Sequence, residues 1–200
     1  EFIAANLCEV MLNSTKLFDY IADAQRHGIK VLPVDINASE FYFTAPDSKT
    51  IRFGMGALKG MGEAPANAIV EERTKNGPFK DMEDLVNRLG TKVMSRKVLE
   101  VLSTIGAFDS IDPNRRMWLE NVPQIYRSAQ ENEENADQMG LFGEESSEMS
   151  TELIQFKPWD TLERMKKEKS IIGFFFTGSP MDACREEIKD HFGGLTIKEC

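Results

Sequence analysis

The apolar residues of this chain fall into two spacings. Ile3, Leu7, Val10 and Met11 recur every three or four positions, and after Asn13-Ser14-Thr15 the same spacing returns at Leu17, Tyr20, Ile21 and Ala24 before Gly28. Residues spaced in this way share one face of an α-helix, so two helices with a capped turn between them are predicted. From Ile29 to Asn37 the pattern is β-leaning and is broken by Pro33. Phe41 and Phe43 alternate with polar neighbours, Ala45-Pro46-Asp47-Ser48 is turn chemistry, and Thr50 to Phe53 returns, which predicts a small β-hairpin. Asp35 has no second carboxylate at a spacing suited to acid–base work and reads as a turn or cap residue.

Helical spacing resumes at Ala66, Ala68, Ile69 and Val70, with Pro65 near the start and Gly77-Pro78 as the stop. Asp81 is placed to cap a helix carrying Leu85, Val86 and Leu89 that ends at Gly90. Ser95 is placed to cap the next, with Val98, Leu99, Val101, Leu102 and Ile105 inward and Gly106 as the stop. Pro113 begins a helix through Trp118, Leu119, Val122, Ile125 and Tyr126, with Pro123 as a kink. The pattern then lapses. Ser128 to Ser150 holds seven acidic residues, no basic ones, and four large apolar ones (Met139, Leu141, Phe142 and Met149), too few to build a core. After Thr151, the positions Trp159, Leu162, Met165 and Ile172 mark a helix with Lys166, Lys167 and Lys169 outside. Phe174-Phe175-Phe176 reads as a buried run, and Ser179-Pro180 opens a last helix with Cys184 and Ile188 inward. The fold class is mainly α.

A length of 200 residues and 41% hydrophobic content allow one sizeable core or two modest ones. No apolar run approaches the roughly 18 to 20 residues of a membrane helix, and no secretory leader opens the chain. It starts in mid-helix without Met, as expected of a piece cut from a longer protein. Cys8, Cys184 and Cys200 are odd in number and far apart, which argues against a disulfide framework and for a reducing compartment. With only His27 and His191, and no C-x-x-C pair, no zinc site is expected. The net charge of −9 is unevenly spread: residues 51–100 carry nine basic against seven acidic side chains, the only positive quarter of the chain.

That quarter holds the candidate chemistry. Lys59, Gly60, Met61, Gly62 and Glu63 form a glycine turn that feeds a helix start, where unpaired N–H groups and the helix dipole make an anion site. With Gly54 to Lys59 as a short first helix, this is a helix-hairpin-helix unit gripping one nucleic-acid strand by its phosphates, without sequence preference. A glycine turn that only packs two helices together fits the same spacing. A nucleotide P-loop does not, because no Gly-Lys-Ser or Gly-Lys-Thr follows. The two helices after Asp81 form a degenerate second hairpin, whose Lys92, Arg96 and Lys97 either continue the phosphate track or are a solvated face. Within the acidic tract, Gln138-Met139-Gly140-Leu141-Phe142 sets apolar side chains where no core can take them, which suits a partner's pocket.

Five stretches in order carry a family resemblance: D-I-N-A-S at 35–39, I-R-F-G-M-G-A-L-K-G-M-G at 51–62, G-A-F-D at 106–109, Q-M-G-L-F at 138–142, and E-K-S-I-I-G-F-F-F-T-G-S-P at 168–180. Together they resemble the alpha subunits of bacterial DNA polymerase III, the family C replicative DNA polymerases. The resemblance implies that 1–46 ends a fingers domain and that 47–112 is a helix-hairpin-helix region on the backbone of duplex DNA. It further implies that 113–150 holds a helix and an acidic loop with a motif for the sliding clamp (the beta subunit), and that 151–200 is a helical segment leading to an OB-fold absent here. Gln138 would then bond at the rim of the clamp cleft, with Leu141 and Phe142 filling it. The implied partners are duplex DNA, the clamp, the rest of the alpha subunit and other holoenzyme subunits, in the bacterial cytoplasm. No catalytic residue falls in this chain, since the aspartates that hold Mg2+ for nucleotide addition in such enzymes lie upstream of Glu1. Ser179 departs from the family, which usually has His there. Two other classes remain open: a stand-alone helix-hairpin-helix repair module, and a protein-interaction scaffold without DNA binding.

Overall fold

Residues 1–139 and 152–178 are described by the computed structural model, with the backbone alone described at 136–139, and they comprise seven α-helices and one pair of strands. α1 (Phe2–Val10) and α2 (Ser14–Arg26) pack together and bury Ala4, Leu7, Leu17, Ile21 and Ala24. Asn13 starts α2 as expected, its side-chain oxygen accepting from the Lys16 amide at 3.1 Å. Tyr20, expected inward, is 41% exposed. Leu17, Ile21 and Ala24 already complete the buried stripe, which leaves the phenol at the water boundary.

The expected β-hairpin is instead a parallel pair. β1 (Lys30–Leu32) and β2 (Thr50–Arg52) run in the same direction, with Val31 opposite Ile51, and the sole antiparallel element among the described residues is a single bridge between Thr44 and Arg52. The turn chemistry at Asp47 is present, its carboxylate accepting from the Lys49 amide and the Thr50 hydroxyl, both at 2.7 Å. The hairpin ladder does not propagate because its acceptors are used elsewhere: the Glu40 and Phe41 carbonyls accept from the amides of Met55 and Gly56 at 2.8 Å. Asp35 is a turn residue, accepting from the Asn37 amide at 2.8 Å.

Helices α3 (Glu63–Asn76), α4 (Met82–Leu89), α5 (Arg96–Ile105), α6 (Arg115–Met139) and α7 (Thr161–Ile172) form the rest. Asp81, Ser95 and Asp160 cap α4, α5 and α7 through their side chains, each cap supplying roughly 0.5 to 1 kcal/mol. α5 is the most enclosed element, packed by α6 and α7, and residues 101 to 108 are all buried. Among Phe174 to Phe176 only Phe174 is fully buried. Phe176 meets Phe53 edge-on at 5.2 Å, and Phe18 meets Phe174 at 5.5 Å. Two lysines of α7 cover aromatic faces, the half-buried Lys167 over Trp159 and the exposed Lys169 over Phe175, each at 4.6 Å.

α6 runs on past Tyr126, through Pro123 and into the acidic tract as far as Met139. Its apolar stripe continues in Val122, Ile125 and Ala129, all buried, so the core supports a helix where composition alone suggested none. The chain then returns along α6 at 152–156. The buried Asn121 side chain donates to the Ile154 carbonyl at 2.8 Å and accepts from the Ile154 amide at 3.0 Å, and Asn114 donates to the Phe156 carbonyl at 2.7 Å. The helix expected from Ser179, with Cys184 and Ile188, lies outside the described residues.

One buried ion network joins the turn after α5 to α6 and α7. The Arg115 guanidinium, 5% exposed, meets Asp109 and Glu168, each at 2.6 Å, and Glu168 also accepts from the Thr177 hydroxyl at 2.8 Å. Gly106, left-handed at φ 86°, leaves the space that Arg115 occupies, for a Cβ there would overlap the guanidinium. Burial raises the Asp109 carboxyl pKa in spite of Arg115, and the two carboxylates outweigh burial to keep the guanidinium charged. Gly106, Asp109 and Glu168 thus converge on one arginine.

Candidate nucleic-acid interface

The glycines of 54–62 divide by role. At Gly54 a Cβ would come within 2.6 Å of the Tyr42 backbone, and at Gly56 within 2.8 Å of the Phe41 ring, so these two allow chain to pack on chain. The short helix expected at Gly54–Lys59 is a single 3-10 turn, Met55–Ala57, since its first amides are given to the preceding loop. Gly60 is different. It is exposed, at φ +93°, a conformation that strains any residue with a Cβ, and it turns the chain toward α3. Met61 is buried and its amide donates to the Leu58 carbonyl at 3.1 Å, which pins the tip.

Beyond that tip the backbone is open. Gly62, Glu63 and Ala64 are exposed, Gly62 stands at the N-cap of α3 in extended conformation, and no side chain caps the helix. The first amide of this turn to find an acceptor is that of Ala66, donating to the Gly62 carbonyl at 3.3 Å, so the amides of Gly62, Glu63 and Ala64 have no partner among the described residues. Pro65 has no N–H to satisfy. Three open donors at the positive end of a 14-residue helix are suited to hold an anion, a candidate cradle.

Of the candidate cations, Lys97 is brought to this cradle. α5 lies beside the turn, and Lys97 Cε is 3.2 Å from where a Gly60 Cβ would stand, with Nζ at 4.0 Å. Lys59 is exposed, but its ammonium rests at the C-terminal end of α7, 3.5 Å from where a Gly173 Cβ would be, where helix carbonyls attract a cation. Arg96 is exposed and paired with Glu100 at 3.0 Å within α5. Lys92 is exposed on the turn between α4 and α5.

That second turn is already filled. Gly90 ends α4 at φ +79°, and the next amide, of Thr91, donates to Glu133 of α6, as does the Thr91 hydroxyl at 2.7 Å. α4 and α5 flank the second, degenerate hairpin turn as expected, and there the Thr91 amide and hydroxyl are occupied by Glu133. The sequence reading missed Glu133 and the Arg115 network. Glu133 follows Tyr126 and Ala129 at helical spacing, and that continuation would have placed it on the buried face of α6.

Gln138 and Met139 form the last residues of α6, and the remainder of that candidate motif, Gly140, Leu141 and Phe142, lies outside the described residues. Among the described residues no three His, Cys, Asp or Glu side chains gather to hold a metal. None of the described helices is long and apolar enough to cross a membrane.

Residues 28–118, which include both glycine turns, match the helix-hairpin-helix motif family. The homologues of the chain are DNA polymerase III alpha subunits. It is 37% identical over 190 residues to that of Neisseria meningitidis, covering 94% of this chain and 17% of the relative. Against the Escherichia coli subunit the figures are 33% over 204 residues, 100% and 18%, and against that of Borreliella burgdorferi 34% over 202 residues, 98% and 17%. The chain thus spans under a fifth of the length of these curated relatives.

Proposed function

We propose that this chain is the segment of a bacterial replicative DNA polymerase that grips the backbone of duplex DNA and tethers the enzyme to its sliding clamp, with nucleotidyl transfer carried by residues outside it. The observation that supports the reading most is the set of open amides at Gly62–Ala64 beside Lys97 and Gly60. Phosphate oxygens of one strand accept from those amides, Lys97 supplies the cation, and no base edge is read, so every sequence is held alike.

The tether uses Gln138, Met139, Gly140, Leu141 and Phe142. Burying the three apolar side chains in a clamp pocket supplies roughly 1.5 to 3 kcal/mol each, offset by ordering the segment, which gives a contact that can release. Holding the polymerase on its clamp keeps the primer end at high local concentration, so many nucleotides are added per encounter. Such a protein works in the bacterial cytoplasm alongside the other holoenzyme subunits.

A duplex titration over salt tests the grip. Binding is expected to be indifferent to sequence and to fall with a log–log slope of about −3, for roughly three neutralised phosphates. Lys97→Ala lowers that slope by about one, and an unchanged slope removes Lys97 from the interface. For the tether, Leu141→Ala with Phe142→Ala is expected to abolish binding to purified clamp while helix content holds; clamp affinity that survives both changes rejects it.

A further inference from the structure

Thr91, at the second turn, is buried, and α6 engages both ends of its backbone. Its amide donates to Glu133 Oε1 at 2.5 Å, its hydroxyl donates to Glu133 Oε2 at 2.7 Å, and the Tyr126 hydroxyl donates to its carbonyl at 3.3 Å. Gly90 keeps the space open, since a Cβ there would stand 3.2 Å from Glu133 Oε1. The turn thus holds a planar anion by two acceptor oxygens, the same chemistry that two non-bridging oxygens of a phosphodiester present. That anion happens to be built into the chain. The rest of α6 around it is solvent-facing: Gln130, Glu131, Asn132, Glu134 and Asn135 are all exposed. Glu133 is therefore the polar tie that docks this end of α6, which continues into Gln138 and Met139.

We infer that Glu133 is the internal ligand of a second phosphate site, and that a DNA backbone phosphate displaces it from Thr91 when duplex is seated on the first turn. The inference rests on the duplex-gripping reading above. Exchange replaces one charge-assisted pair by another, so the two states are close in free energy. The exposed Lys92 beside Thr91 favours the incoming phosphate. Displacement unpins the end of α6 that leads to Gln138–Phe142, and by reciprocity whatever pins α6 weakens the hold on DNA.

The test is a titration of the 200-residue chain with a short labelled duplex, together with amide hydrogen exchange of residues 127–135. Glu133→Ala is expected to bind duplex about fivefold more tightly, since no internal hydrogen bonds to the carboxylate must break first. Glu134→Ala removes an equal charge from the exposed side of the same turn of helix and is expected to gain less than about twofold, because that charge is screened. Thr91→Val in the Glu133→Ala background removes the gain, and Glu133→Gln, which keeps shape and one acceptor, falls between. In the unsubstituted chain, duplex binding should speed exchange at 127–135. Equal gains for the two alanine variants, no gain for Glu133→Ala, or unchanged exchange with DNA bound overturns the inference while the first turn still binds. If the unsubstituted chain and Gly60→Val bind duplex equally, or neither binds, the duplex-gripping reading itself fails.

Discussion

The two hairpin turns are built alike and end up in different states. Each is a glycine with positive φ between helices, Gly60 before α3 and Gly90 after α4. At the first, the amides that follow point to solvent and no side chain caps them. At the second, the following amide and hydroxyl are closed by Glu133. The difference lies in what packs nearby. α6 passes over the second turn with a carboxylate at the right height, while α5 offers the first turn Lys97 and the apolar Val101, neither of them an acceptor. On the proposed reading, anion binding would be a property of the turn, and its availability would be set by the neighbouring helix.

The largest expected effect breaks both turns together. Arg115 joins the turn after α5 to α6 and α7, and Arg115→Ala leaves the almost fully buried Glu168 without its cation, at a cost of about 3 to 5 kcal/mol. Denaturant melting should show that loss. A drop below about 1 kcal/mol would mean that the network is not holding the frame.

Converting the open turn into a filled one is the sharper test. Gly62→Asp introduces at the α3 N-cap the group that Glu133 supplies at Thr91, and a Cβ there meets only Pro65 at an ordinary 3.4 Å. Helix stability is expected to rise by roughly 0.3 to 1 kcal/mol from cap and dipole, while duplex affinity falls at least about tenfold as the amides are taken and a charge added. Gly60→Val should lose a similar factor by straining φ and displacing Lys97, whereas Gly62→Ala, at φ −86°, should stay within about twofold. Equal losses at Gly60→Val and Gly62→Ala would erase the distinction between turn and cap.

Much of this frame could be read from residue spacing and end signals. Asn13, Asp81 and Ser95 cap where expected, Gly28, Gly77, Gly90 and Gly106 follow helix ends, and the buried faces of α4 and α5 match their apolar stripes. These are local features, decided within a few residues of chain. What could not be read depends on contacts distant in sequence. The strand pair is parallel because β1 covers the edge of β2 and the carbonyls of Glu40 and Phe41 serve Met55 and Gly56. Packing and anion binding both fitted the glycine turn; the fold gives Gly54 and Gly56 the first role and leaves Gly62 free for the second. Lys97 against Gly60, and Glu133 on Thr91, are tertiary juxtapositions that no spacing rule contains.

The smallest expected effect isolates stability from binding. Ser95 accepts from the Val98 amide at 3.4 Å, whereas Asp81 accepts from Asp84 at 2.7 Å, so the two caps of the second hairpin differ in strength. Asp81→Ala should therefore cost about 1 kcal/mol and Ser95→Ala roughly half that. Neither residue touches the first turn, and neither supplies a donor at Thr91, so duplex affinity should stay within about twofold in both once the proteins are folded. Paired melting curves and titrations check this. If Ser95→Ala weakens DNA binding tenfold while barely moving the melt, the Ser95 hydroxyl is itself on the phosphate path, and the division between an open and a closed turn is drawn in the wrong place.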